Sequence, residues 1–442
     1  MELSLADQGI SFSTCSEAIQ SFVTENKKRP DTLTLTKNHA VGVDGITNLA
    51  EQWLATSNDE SETPITTLNV ASCSLGRCVN PSTGANILSS TGVSALGKHG
   101  DRLKNVDLSW NDLNTEAIDA FVRGLLDIKG PAFDAESYDP LTLIPSRTCA
   151  LESINLTGNS ICDEGLEAIS HLVIDPSETL KIPSNLKSII LNQCALQGNG
   201  GEILCRMLNH ESSQIISLNC FENDVTTWSL ELAKSVIKNE KLIEFNNINL
   251  IELKNKLSNK EENINIIAGK NTMNHGVLSI LLTLRPFVFP DEASIPNPIS
   301  TDTSAADAEA ATTEKTDGVK GSVTLDLRES FMCGFYQEEE ESVNELISLL
   351  QHINNDSSSD SSNNKSPEIT SSKEGDAHDQ SPVILNPSLI YIKTIELDDD
   401  SGLTSKQIKA LYDACGPSNQ KTRTVLKVNG TEYKPASSCV IC

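Results

Sequence analysis

Twelve cysteines and seven histidines are the residues of this 442-residue chain best suited to nucleophilic, acid–base or metal chemistry. Spacing decides whether they can. The histidines (39, 99, 171, 210, 275, 352 and 378) fall into no His-Glu-x-x-His pattern, and no Gly-x-Ser-x-Gly turn offers a serine nucleophile. Cys73 and Cys78 would make half of a zinc site, but no second half follows at ligand spacing. The GNGG stretch at Gly198–Gly201 lacks the following Lys-Ser or Lys-Thr of a phosphate loop and reads as a turn into a helix. No catalytic residue, metal or cofactor is therefore expected. One cysteine has a different setting. Cys439 is followed by Val440, Ile441 and Cys442, and an accessible thiol there is open to alkylation, or to oxidation as a Cys-x-x-Cys pair.

The elements that carry these residues repeat. Four stretches fit one template, Lxx(L/I)x(L/C)xx(N/C)x(L/I/V): LKNVDLSWNDL from Leu103, LESINLTGNSI from Leu151, LKSIILNQCAL from Leu186 and IISLNCFENDV from Ile215. ITTLNVASCSL from Ile65 and a segment around Leu33, Leu35 and Asn38 fit more loosely. Each is followed by apolar residues at three- and four-residue steps, as in Ala117, Ile118, Phe121, Val122 and Leu125, which predicts a helix with one buried stripe. The unit is strand, turn, helix. Its apolar face cannot be buried alone, so neighbouring units must stack.

This template resembles the leucine-rich repeat family, and the helix-bearing units resemble its ribonuclease-inhibitor-like class. The resemblance implies an α/β solenoid, a horseshoe with parallel strands on the concave face and helices on the convex face. The intervals between equivalent residues run from 29 (Leu191 to Cys220) to 48 (Leu108 to Leu156), so insertions are expected, at Arg77 to Ser90 and Asp127 to Ala150. Thr14 and Glu17 suggest a capping box for an N-terminal helix over 1–30. Repeats are expected over 31–290, with the last ones degenerate. Beyond them, 291–321 and 354–388 lack the apolar content to fold and are expected to be disordered. A strand-helix unit over 322–353, a terminal unit over 389–416, a hairpin cap over 417–434 and a tail over 435–442 complete the organisation.

A net charge of −27 disfavours general nucleic-acid binding, which needs basic surface to displace counterions. The N-terminus has no basic and apolar signal, and the longest aliphatic run, Gly276 to Leu284, is too short to span a bilayer, so a cytoplasmic monomer is expected. Cys73 and Cys194 at the template's Asn/Cys position, Cys220 on a strand and Cys205 in a helix stripe are expected to be buried thiols. Outward strand residues should form the binding face: Asn69, Asp107, Asn155 and Asn219 in one column, Ser109, Thr157, Asn192 and Phe221 in the next. Trp110 and Phe221 are the aromatic anchor candidates there. The expected function is a non-catalytic protein–protein adaptor.

Cys439-Val440-Ile441-Cys442 resembles the substrate motif of protein prenyltransferases, which implies a thioether at Cys439 and attachment to the cytoplasmic face of a membrane. From Gly402 onward, six basic residues stand against two acidic ones, which would favour an anionic leaflet. An alternative is a regulator of small GTPases resembling the Ran GTPase-activating proteins, with Arg77 as the candidate charge-stabilising residue.

Overall fold

A computed structural model of the chain describes residues 1–55, 64–80, 82–128, 149–174, 184–268, 274–289, 321–330, 341–359, 390–416 and 423–434. It is a mixed α/β structure whose contacts divide it into two compact units, Met1–Leu250 and Ile251–Cys442.

In the first unit the order is β1 (Glu2–Ser4), α1 (Phe12–Asn26), β2 (Thr32–Thr34), α2 (Gly42–Leu49), β3 (Thr67–Asn69), β4 (Arg77–Val79), β5 (Asn86–Leu88), α3 (Thr91–His99), β6 (Asn105–Asp107), α4 (Thr115–Leu126), β7 (Ser153–Asn155), α5 (Cys162–Ser170), β8 (Ser188–Ile190), α6 (Gly198–Asn209), β9 (Ser217–Asn219), α7 (Ser229–Lys238), β10 (Glu244–Phe245) and β11 (Ile248–Asn249). Nine strands form one sheet in the order β1-β2-β3-β6-β7-β8-β9-β10-β11. Every neighbouring pair is parallel except the last, β10–β11. The middle residue of each short strand points inward, so Leu33, Leu68, Val106, Ile154, Ile189 and Leu218 are buried. Pairing continues past the strand ends. Leu108 N donates to Asn155 O at 2.9 Å, Leu156 N to Ile190 O at 2.8 Å and Leu191 N to Asn219 O at 2.7 Å, which places the three template leucines side by side.

Behind the strands a second ladder satisfies the backbone where each strand bends away. The Asn159 side chain is 1% exposed; its Nδ2 donates to Leu108 O (3.0 Å) and Leu156 O (2.8 Å), and its Oδ1 accepts from Asn111 N (3.1 Å) and Leu113 N (3.0 Å). Asn111 and Asn223 repeat this pattern between their own neighbours. Asn38 does so at the start, taking Gln8 N and Ile10 N and donating to Leu5 O and Leu35 O. Cys73 and Cys194 occupy the same rung, with Sγ–H donating to Leu35 O (3.1 Å) and Leu156 O (3.3 Å). A buried backbone group without a partner is costly, so the rung residue must be able to bond in both directions along the stack.

Three local features differ from the sequence expectation. The N-terminal segment begins with a strand, β1, parallel to β2, and so forms a strand-turn-helix unit itself. Its helix starts at Phe12 after Ser11, which makes no side-chain cap, so Thr14 and Glu17 lie within the helix instead of capping it. The insertion at Arg77 to Ser90 contains the antiparallel hairpin β4–β5.

The parallel progression of the first sheet stops at Leu250, short of the 290 expected. Asn246 and Asn247 both take positive φ (47° and 62°) and turn β11 back antiparallel to β10, closing that edge. The second unit follows with α8 (Leu250–Ser258), β12 (Ile264–Ile267), α9 (Asn274–Val288), β13 (Gly321–Asp326), α10 (Glu341–Ser359), β14 (Ile390–Leu397), α11 (Ser405–Ala414), β15 (Val425–Val428) and β16 (Thr431–Glu432). Its five-stranded sheet runs β12-β13-β14-β15-β16, parallel until the closing β15–β16 hairpin, which turns at Asn429 and Gly430 (φ 51° and 76°). Val323, Leu325, Ile392 and Ile395 are buried there under the apolar stripes of α9 and α10. α10 runs on to Ser359, into the segment expected to be disordered. The rest of that segment, the insertion at 291–320 and the tail at 435–442 lie outside the described residues.

Candidate functional site

The outward residues of the first sheet form a candidate binding face whose polar atoms follow a rule. At the ends of β3, β6 and β7 an Asn or Asp accepts, through Oδ1, from the backbone two residues on. Asp107 takes Ser109 N at 2.9 Å and Ser109 Oγ at 2.6 Å. Asn155 takes Thr157 N at 3.1 Å and Thr157 Oγ1 at 2.8 Å. Asn69 takes Ala71 N at 3.1 Å together with Thr36 Oγ1 at 2.8 Å. Asn219 accepts from Asn247 N, and Asn192, in the next column, from Phe221 N, each at 2.9 Å. The acceptors are thus committed within the fold, to turns or to the backbone of the next unit, and each amide is oriented with Nδ2 as its remaining donor. Sequence reasoning placed these side chains outward without assigning their acceptors. The signal was available in the spacing Asp107-x-Ser109 and Asn155-x-Thr157, since Asx turns bond two residues ahead.

Burial sorts the anticipated residues further. Asn69, Asp107, Asn155, Thr157 and Asn192 are half-buried and reachable, whereas Ser109 and Asn219 are buried. Phe221, expected as an exposed anchor, is 8% exposed and packs into the structure. An aromatic adjoining a strand gains more by covering apolar neighbours than by facing water.

Trp110 is different, at 52% exposed. The residue just before each ladder rung has a left-handed backbone: Lys37, Ser72, Trp110, Gly158, Gln193 and Glu222, with φ between 53° and 72°. In this conformation a bulky side chain costs on the order of 1–2 kcal/mol. Trp110 tolerates it beside Gly158, where an added Cβ would come 2.4 Å from Trp110 Cε3 and 2.5 Å from Cδ2. The indole therefore lies on the bare backbone of the next strand's turn, held from beneath and open above. Its Nε1–H has no partner among the described residues.

Several charges near the face are engaged. Arg77, on the β4–β5 hairpin, meets Asp112 at 3.0 Å, both half-exposed. Gln193 donates to Glu222. Before the strands, Glu152 sits between Lys187 (2.8 Å) and Lys104 (3.4 Å), and the Lys187 hydrogen bond lowers its pKa. The hairpin also exposes Val79, Ile87 and Leu88.

The buried thiols of this unit, among them Cys73, Cys194 and Cys220, are placed for packing. Burial pushes Cys73 up to about 11 and Cys194 and Cys220 up to about 12, with weaker opposing hydrogen bonds from Asn38, Asn159 and Asn246 respectively. Such thiols supply little thiolate for nucleophilic work. On the helix side, His171 follows α5 and is buried; burial lowers its pKa to about 4, with Arg206 and Arg123 acting the same way against the pull of Glu167. Among the described residues no group of three or more His, Cys, Asp or Glu could hold a metal ion, and no helix is long and apolar enough to cross a membrane. Cys439 lies outside them. Compared with known proteins, the sequence matches no family model and no curated protein.

Proposed function

We propose that the first unit is a leucine-rich-repeat solenoid that acts as a non-catalytic adaptor, recruiting a protein partner to its strand-side face around Trp110. One observation carries this reading: an indole kept exposed in a costly backbone conformation, seated on a glycine, amid half-buried polar side chains. The left-handed turn recurs in every unit and requires no aromatic, so folding does not account for the exposed indole, and rigid exposed aromatics are favoured anchors of interfaces. The test places a photo-crosslinking side chain at Ser72, beside Trp110, or at Lys98 on α3. Adducts of one defined mass from Ser72, lost with Trp110→Ala and absent from Lys98, are expected. Equal labelling from both sites refutes the assignment.

The membrane arm of this proposal rests on the sequence around Cys439 alone. Isoprenoid label should enter the wild type and not Cys439→Ser, and the mutant should shift to the soluble fraction. A second reading, activation of a small GTPase, draws on Arg77, which projects on a hairpin and is held by a half-exposed ion pair with Asp112. Such pairs are worth about 1 kcal/mol or less, so Arg77 could be released to an incoming nucleotide. Single-turnover GTP hydrolysis with and without Arg77→Ala decides it; an adaptor leaves the rate unchanged.

A further inference from the structure

We infer that the segment recognised at the strand-side face is proline-rich and bound as a polyproline II helix, an inference that rests on that face being a protein-docking surface. The first argument is chemical. With their Oδ1 atoms committed, in Asn69 and Asn155 to Asx turns and in Asn192 to Phe221 N of the next unit, these three residues offer amide donors, and Trp110 adds its indole N–H. Their natural complement is a backbone with unpaired carbonyls and few N–H groups. A proline-rich polyproline II segment is that backbone, because it makes no internal hydrogen bonds and proline has no N–H.

The second argument is metric. Along the sheet, the strand-end column reads Asn69 on β3, Asp107 on β6, Asn155 on β7, Ile190 on β8 and Asn219 on β9, so an amide recurs on every second strand. Strands spaced about 4.8 Å apart put these amides about 9.6 Å apart. Polyproline II advances about 3.1 Å per residue and repeats after three, which is about 9.3 Å. One carbonyl per turn can therefore meet Asn69 and then Asn155. An α-helical ligand advances about 10.8 Å in two turns, a poorer match, and its carbonyls are already committed to internal hydrogen bonds. Asn219 continues the series but is only 7% exposed, so the usable register centres on the first two amides.

The third argument is shape. Trp110 follows β6, between the strands of those two amides, with one ring face on Gly158 and the other open. A flat aromatic bordered by hydrogen-bond donors is the general means of holding a proline ring against a pre-ordered, low-entropy segment. The nearest charges, Asp107 with Ser109 and Arg77 with Asp112, are already engaged, and such a ligand needs no charge.

The experiment titrates the full-length protein by calorimetry with a capped nine-residue oligoproline, about 28 Å long, and with a Gly-Ser peptide of equal length. Saturable binding of the oligoproline alone is expected. Trp110→Ala and Asn155→Asp should each weaken it tenfold or more. Asn155→Asp keeps the turn, since Asp107 makes the same one in the neighbouring strand, and replaces the outward donor by a carboxylate oxygen, which repels a ligand carbonyl. An unchanged melting curve for Asn155→Asp verifies that the loss is not unfolding, and Asn48→Asp on α2 should bind like the wild type. Absence of saturable binding below about 1 mM, or binding indifferent to both face substitutions, overturns the inference. Crosslinking confined to Ser72 alongside a failed oligoproline titration would leave the adaptor reading standing and remove only the polyproline ligand.

Discussion

Replacing Asn159 with alanine removes a rung that four backbone groups share. Leu108 O would keep Asn111 Nδ2 and Leu156 O the Cys194 thiol, but Asn111 N and Leu113 N would be left without an acceptor in a site that is 1% exposed. A buried amide left unpaired costs about 2 kcal/mol, so Asn159→Ala should destabilise the first unit by about 4 kcal/mol. The protein itself supplies the intermediate case. At Cys73 and Cys194 a thiol fills the rung, donating to Leu35 O and Leu156 O. Asn159→Cys should therefore recover part of the loss and cost about 2 kcal/mol, because a thiol accepts from the orphaned amides, though only weakly. Urea unfolding followed by circular dichroism measures both, and hydrogen exchange at Asn111 and Leu113 tests the locality of the effect. The reasoning fails if Asn159→Ala costs less than about 1 kcal/mol, if Cys and Ala are equivalent, or if exchange rises elsewhere before these amides.

Gly158→Ala adds a Cβ where Trp110 rests and strains a backbone at φ 72°, so it should cost about 1–2 kcal/mol and shift the Trp110 contribution to fluorescence to the red. The raised thiol values of Cys73, Cys194 and Cys220 mean that above pH 9 the unfolded chain loses protons that the folded chain keeps. The stability they add is complete below pH 9 and falls by about 1.4 kcal/mol per pH unit per thiol above it; denaturant melts from pH 8 to 10 should show this, with a shallower slope for Cys194→Ser. His171 runs the opposite way. Its lowered pKa makes stability complete above pH 6.5 and diminishing toward pH 4, by about 3 kcal/mol in all, an acid sensitivity that His171→Leu should blunt.

Much of the first unit can be read from residue order. Leucines at template spacing, and stripes such as Ala117, Ile118, Phe121 and Val122, are short-range patterns that impose a strand or a helix with one apolar side. Such a side has to be covered by the next unit, and Leu108, Leu156 and Leu191 lie in one ladder as a consequence. The rungs at Asn111, Asn159 and Cys194 are equally local, since the turn that follows each strand dictates a small hydrogen-bonding residue there.

Other properties depend on which distant atoms arrive beside a residue, and local sequence does not encode that directly. Phe221 and Trp110 look alike as outward aromatics, yet one is covered and the other remains open on Gly158, forty-eight positions away. The division after Leu250 has the same origin, because β11 folds back on β10 while β12 finds its partner in β13, across a long insertion. Chain order therefore determined the unit that repeats and the positions that must be buried. Tertiary packing decided where the first stack stops, which polar atoms are used up internally and which aromatic stays available, because each depends on the full set of neighbours competing for the same surface.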